Sequence, residues 1–77
     1  MENFEKKTAK VFGKRFRALV DANGDTSATA ATKLNVSAAI IAKWRQGKVV
    51  PSGEYLKRIS EIYCISSDYL LGLSNDA

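Results

Sequence analysis

Nowhere in these 77 residues do apolar and polar side chains alternate as a half-buried strand requires; apolar residues recur instead at helical spacing. Phe12, Phe16, Leu19 and Val20 fall at i, i+4, i+7 and i+8, one face of a helix. Phe4 and Thr8 extend that stripe upstream, so the first helix is expected to begin near Asn3, with Lys10, Lys14 and Arg17 on the opposite face. Asp21-Ala22-Asn23-Gly24 ends it, because Gly24 suits the left-handed residue that follows a helix. A second helix is expected over Ser27–Leu34, with Thr26 as N-cap and Ala30, Ala31 and Leu34 facing inward. Those side chains are small enough to let a neighbour approach closely.

Asn35 follows where the chain must turn sharply, and asparagine tolerates the left-handed conformation better than other non-glycine residues. Val36 then reads as a buried hinge and Ser37 as the N-cap of a third helix, roughly Ala38 to Gln46, stopped by Gly47. Ile40, Ile41 and Trp44 supply its apolar side. After Lys48-Val49-Val50-Pro51, a fourth helix (about Ser52 to Tyr63) carries Tyr55, Leu56, Ile59, Ile62 and Tyr63 on one face. Ser66 caps a short fifth helix, Ser67 to Leu71, with Asp68 favoured in its first turn by the helix dipole and Gly72 closing it. The expected fold is all-α: one five-helix domain over residues 1–73, with 74–77 a tail or the start of a linker to a longer regulator.

A chain this short buries only about 60% of the surface it exposes when unfolded, which leaves little room for a substrate cavity. It contains no histidine and a single cysteine, Cys64, so neither an internal disulfide nor a Cys/His metal site can form. Scattered carboxylates complete no acid–base constellation, and no enzyme activity, metal or cofactor is expected. The net charge is +4; an excess this size is common in soluble domains and gains meaning only if it falls where a motif independently points. The N-terminal stretch lacks the apolar core of a secretion signal, and no segment approaches a membrane span. A cytoplasmic location fits.

The second and third helices, joined by a four-residue turn, have helix-turn-helix spacing. Ala31 allows the close crossing, Asn35 makes the turn, and Val36, Ile41 and Trp44 lock one helix against the other. Similar helix pairs serve packing alone in many small domains. The run Val36-Ser37 … Ile41-Ala42-Lys43-Trp44-Arg45-Gln46-Gly47-Lys48 … Pro51-Ser52 … Leu56 … Ile59 … Ile65-Ser66-Ser67-Asp68-Tyr69-Leu70-Leu71-Gly72 resembles the Cro/cI, or lambda-repressor-like, helix-turn-helix family over about Phe12 to Leu73.

That resemblance implies a sequence-specific transcriptional regulator, a repressor in most such proteins, that lays its third helix in the major groove of a near-palindromic operator as a homodimer. Ala38, Ala39, Ala42 and Lys43 then meet base edges. Ser27, Ser37, Arg45, Lys48, Ser52 and Gly53 meet phosphates, several of them at helix N-termini that favour anions. The C-terminal apolar set Tyr69, Leu70, Leu71 and Leu73 exceeds what a short terminal helix usually buries, so part of it is expected to form a weak two-fold contact. Double-stranded DNA is the expected partner; no membrane and no small-molecule substrate are expected. The chain departs from the family where long polar residues are usual at 38 and 39, a glycine at 35 and an apolar residue at 25. It also lacks the arginine late in helix 1 and the glutamate late in helix 3 that many members pair, having Val20 and Arg45 there.

The alternative is a protein-interaction module that keeps the fold and turns the alanine-rich edge Ala38, Ala39, Ile40 and Ala42 to a protein partner. Lys43, Arg45 and Lys48 weigh against it, since protein interface cores are depleted in lysine. Trp44 and the three tyrosines read as packing residues, the tyrosine hydroxyls at the surface. Cys64 reads as half-buried. The basic residues Lys6, Lys7, Lys10, Lys14, Arg15 and Arg17 read mostly as a solvated helix face.

Overall fold

A computed structural model describes residues 4–77, with side chains from Lys6 onward. The expected start at Asn3 and the side chain of Phe4 lie outside the described residues. Five helices follow in order: α1 (Phe4–Ala22), α2 (Ser27–Leu34), α3 (Ala38–Arg45), α4 (Gly53–Tyr63) and α5 (Ser67–Leu71), with no strand among the described residues. Gln46 and Ser52, expected inside helices, are the C-cap of α3 and the N-cap of α4.

The punctuation works through local hydrogen bonds. The Thr26 hydroxyl accepts from the Thr29 amide while the Thr29 hydroxyl accepts from the Thr26 amide, a reciprocal capping box. Ser37 and Ser66 cap α3 and α5 in the simpler way, accepting from the Ile40 and Tyr69 amides. Asn35 takes the left-handed conformation at φ 55°, and Val36 N–H then reaches back to the Ala31 carbonyl at 3.0 Å. This pair of residues makes the tight turn between α2 and α3.

Phe12, Phe16 and Val20 of α1 are fully buried, together with Ala30 and Leu34 of α2, Ile41 and Trp44 of α3, Ile59 of α4 and Leu70 of α5. Phe12 and Phe16 stack at 5.3 Å, and Trp44 meets both edge-on at 6.2 and 5.6 Å. Tyr55 closes the other side of the indole at 5.6 Å. Edge-to-face rings contribute about 0.5–1.5 kcal/mol each beyond their buried area, so this group anchors α3 to α1.

Two glycines permit that anchoring. A Cβ on Gly13 would stand 2.6 Å from Gly47 Cα and 2.8 Å from the Trp44 carbonyl oxygen, both backbone atoms. Gly47, itself at φ 70°, lies against the backbone of Ala9 and Lys10. The end of α3 therefore touches the middle of α1 with no side chain between them.

Several expectations need correction. Ile62 lies off the apolar face of α4 and is exposed, because the face turns toward Ile59 and Tyr63. Cys64 is exposed, not half-buried: it is the left-handed C-cap of α4, where its side chain points out of the bundle. Of the C-terminal apolar set, Leu70 is core, Tyr69 lies under the Arg15 guanidinium and Leu71 is half-buried, which leaves Leu73, 76% exposed, as its one exposed member. Residues 74–77 bend back along the body. Arg15 donates to the Tyr69 and Ser74 carbonyls and to Asn75 Oδ1, and the Ser66 amide donates to the Ala77 carbonyl.

Gly13→Ala is expected to lower stability by about 1–3 kcal/mol, although alanine is the better helix former by about 1 kcal/mol, because the clash is with backbone and cannot relax by rotamer change. A urea midpoint equal to or above wild type would show that the helices can separate without loss. Trp44→Ala is expected to cost about 3–5 kcal/mol, and the wild-type indole, 3% exposed, should emit at short wavelength and change little on adding DNA. Strong quenching by DNA would place it at the interface instead.

Candidate nucleic-acid interface

Burying Ile41 and Trp44 on α3 fixes which residues of that helix face outward. Ala38, Ala39, Ala42 and Lys43 are all exposed, and together they form its outer surface. Three methyl groups and one ammonium offer apolar contact and a single flexible donor. Such a surface can pack on a thymine methyl and donate to guanine O6 or N7. Among the described residues Lys43 enters no ion pair.

The phosphate candidates divide into two groups. Around the first turn of α2, the Arg45 guanidinium donates from Nη1 to Ser27 Oγ at 2.9 Å and pairs from Nη2 with Asp21 Oδ1 at 3.5 Å. Arg17 in turn donates to the Arg45 carbonyl at 2.8 Å. Arg45 and Ser27 are thus brought together, joined by one hydrogen bond. Sequence reasoning missed Asp21 and Arg17. The signal was present in the family's own pairing: the acid now sits on α1 and the arginine on α3, one position beyond the buried Val20.

At the other end, Lys48 is exposed just past α3, and Ser52 and Gly53 are exposed at the start of α4. The Ser52 hydroxyl makes no capping bond, so the first amides of α4 are left without a side-chain acceptor. Ser52 shares an open hollow with Lys43, walled by Ile40, Trp44, Val49, Val50, Pro51 and Tyr55. Ser37 stands apart at the start of α3, its oxygen engaged by the Ile40 amide.

A polar node behind α2 holds this arrangement. Asp25, where the family resemblance leads one to expect an apolar residue, accepts from Lys33 Nζ and the Tyr63 hydroxyl on one carboxylate oxygen, both at 2.8 Å, and from the Thr29 hydroxyl on the other. The Tyr63 hydroxyl is therefore not at the surface as expected; it ties α4 to the entry of α2. Arg58 makes a parallel link, donating to the Leu34 carbonyl at the end of α2. The bonds from Lys33 and Tyr63 hold the Asp25 carboxyl below its ordinary value. Burial, then the bond to Asp25, pushes the Tyr63 phenol well above its own.

Among the described residues no His, Cys, Asp or Glu side chains gather as a metal site, and no helix is long and apolar enough to cross a membrane. Two short helices joined by a left-handed turn, the second presenting an exposed face and a basic end, define a helix-turn-helix domain. A helix-turn-helix family model matches residues 16–70, and the chain belongs to that family, of the Cro/cI type. Members of the family are in general non-enzymatic DNA-binding domains. No curated protein and no solved structure matches the chain.

The Asp25 node sets a pH dependence. A carboxyl with a depressed folded pKa binds fewer protons folded than unfolded, so its contribution is present above the unfolded value, about 3.9, and is lost as pH falls toward the folded one. The raised Tyr63 phenol acts in the opposite sense, its contribution being lost as pH rises past about 10. Asp25→Asn should therefore flatten the fall in urea midpoint below about pH 4. A variant that keeps the full wild-type acid slope would exclude Asp25 as its source.

Proposed function

We propose that the protein is a cytoplasmic, sequence-specific DNA-binding transcriptional regulator, a repressor, that places α3 in the major groove. The observation that carries this reading is the outer face of α3. Its four exposed residues are held in place by a buried indole and a backbone-to-backbone crossing, and Lys48 follows just past the helix. Ala38, Ala39 and Ala42 contribute methyl contacts and Lys43 the one polar base contact. Phosphates are met by the α2 N-terminus at Ser27, by Ser37, Arg45 and Lys48, and by the uncapped first turn of α4 at Ser52 and Gly53. With so few donors on α3, part of the specificity comes from DNA shape. Binding as a homodimer puts half-sites about one helical turn, roughly 34 Å, apart.

Arg45 has a double duty in this reading. In the free domain it joins α3 to α1 and α2. Its guanidinium has further donors, so a phosphate can bind it without Ser27 being released.

Lys43→Ala should weaken binding to a selected site by about 1–3 kcal/mol and relax preference at a single guanine per half-site. Lys48→Ala should weaken all sequences alike and lower the slope of log K against log salt by about one. Equal losses on every sequence for Lys43→Ala would make Lys43 a phosphate contact. If the wild-type chain gives no salt-dependent shift of any duplex, the alanine-rich face belongs to a protein partner.

A further inference from the structure

Most of the six cationic residues of α1 share one side of the helix, Arg15 turning instead to Tyr69 and the C-terminal residues. Lys10, Lys14 and Arg17 fall at i, i+4 and i+7, a single stripe, and all three are exposed. That stripe runs beside the end of α3. Lys10 Cα lies at the Gly47 crossing, one residue before Lys48, and Arg17 reaches across to the Arg45 carbonyl. The ion pairs among the described residues draw on Lys33, Arg45, Lys57 and Arg58, leaving Lys10, Lys14 and Lys48 without an acidic partner. The one acid at the C-terminal end of this stripe, Asp21, is engaged by Arg45.

Charge is also divided along the chain. Residues 1–48 hold ten of the twelve lysines and arginines but four of the eight acids, and residues 49–77 hold the other two cations and four acids. The overall excess is thus confined to the half that carries α1 and α3, while α4, α5 and the tail are net acidic. A solvated face needs no such segregation. A surface that meets a polyanion does, because unpaired cations in one row gain most where like charges of the partner are closely spaced.

We propose that the Lys10, Lys14 and Arg17 face of α1 is a second phosphate-binding surface, which grips the DNA backbone beyond the C-terminal end of α3. This rests on the DNA-binding reading above and extends it, from a helix held in one groove to a pair of helices that grip the flanking strand. Arg17 is the joint between the two surfaces. By bonding the last carbonyl region of α3 it fixes the stripe relative to Lys48, so that the row Lys48, Lys10, Lys14 acts as one unit. The contact reads charge and not base identity.

The test is equilibrium binding of the full chain to a long duplex of arbitrary sequence across a salt series. The proteins are wild type, the double variant Lys10→Gln/Lys14→Gln, and Lys57→Gln on α4 as a control for net charge. All three positions are exposed, and thermal melts check that folding is unchanged. Loss of α1 contacts is expected to make log K against log salt shallower by about 0.9 for each phosphate released, with Lys57→Gln at the wild-type slope. A double variant with the wild-type slope would overturn the proposal and leave the DNA-binding reading standing. So would a control that falls as far per charge removed, since net charge alone would then account for the effect. If the wild type binds no duplex even at low salt, the reading and the proposal fall together.

Discussion

The crossing of α1 and α3 is made without side chains, and the direction in which α3 presents its outer face depends on it. Gly13 and Gly47 bring the two backbones so close that a single methyl group at position 13 would overlap main-chain atoms. That proximity lets Trp44 reach Phe12 and Phe16 at edge-to-face distance and seals the indole from water. A helix of only eight residues has little stability of its own. Its orientation is set by these contacts, and with it the outward aim of Ala38, Ala39, Ala42 and Lys43.

Polar interactions then fix what apolar packing leaves free. Dispersion and burial hold α2 against α3, but they do not determine rotation or sliding as sharply as directional bonds do. Arg45 links α3 to both earlier helices through Ser27 and Asp21, and Asp25 draws Thr29, Lys33 and Tyr63 onto one carboxylate. These two nodes sit on either side of the entry to α2. The chain thereby does without the Arg–Glu pair common in its family, using a pair of reversed polarity at the exposed position 21 while Val20 fills the buried one. The exposed pair is weaker than a buried one, though it avoids the cost of desolvating two charges.

Most of the fold could be read from the sequence because helix signals are local. Thr26, Asn35, Ser37, Ser66 and Gly72 each specify a boundary through a bond or a backbone conformation of their own, and the apolar spacing gave the inward faces. What escaped were relations between distant residues. Gly13 stands in the interior of a helix, where glycine is unfavourable, and that penalty was the available sign of a close approach; nothing local shows that its partner is Gly47. Arg15 looks like one more solvent-facing cation, and only the return of the tail makes it a clamp for Tyr69, Ser74 and Asn75. At the candidate interface the residue types were visible, but their division into engaged (Arg45, Ser27) and unengaged (Lys43, Lys48, Ser52) required the three-dimensional arrangement.

The most direct measurement is an NMR titration of the isotope-labelled chain with a duplex carrying a site selected from random DNA. Amide shifts are expected to concentrate on Ala38, Ala39, Ala42 and Lys43, the first turn of α2, and the segment from Lys48 to Gly53, with α5 and the tail unmoved. Saturable shifts confined to α4, α5 and the tail, with the outer face of α3 unchanged, would contradict the assignment of α3 as the helix that meets DNA.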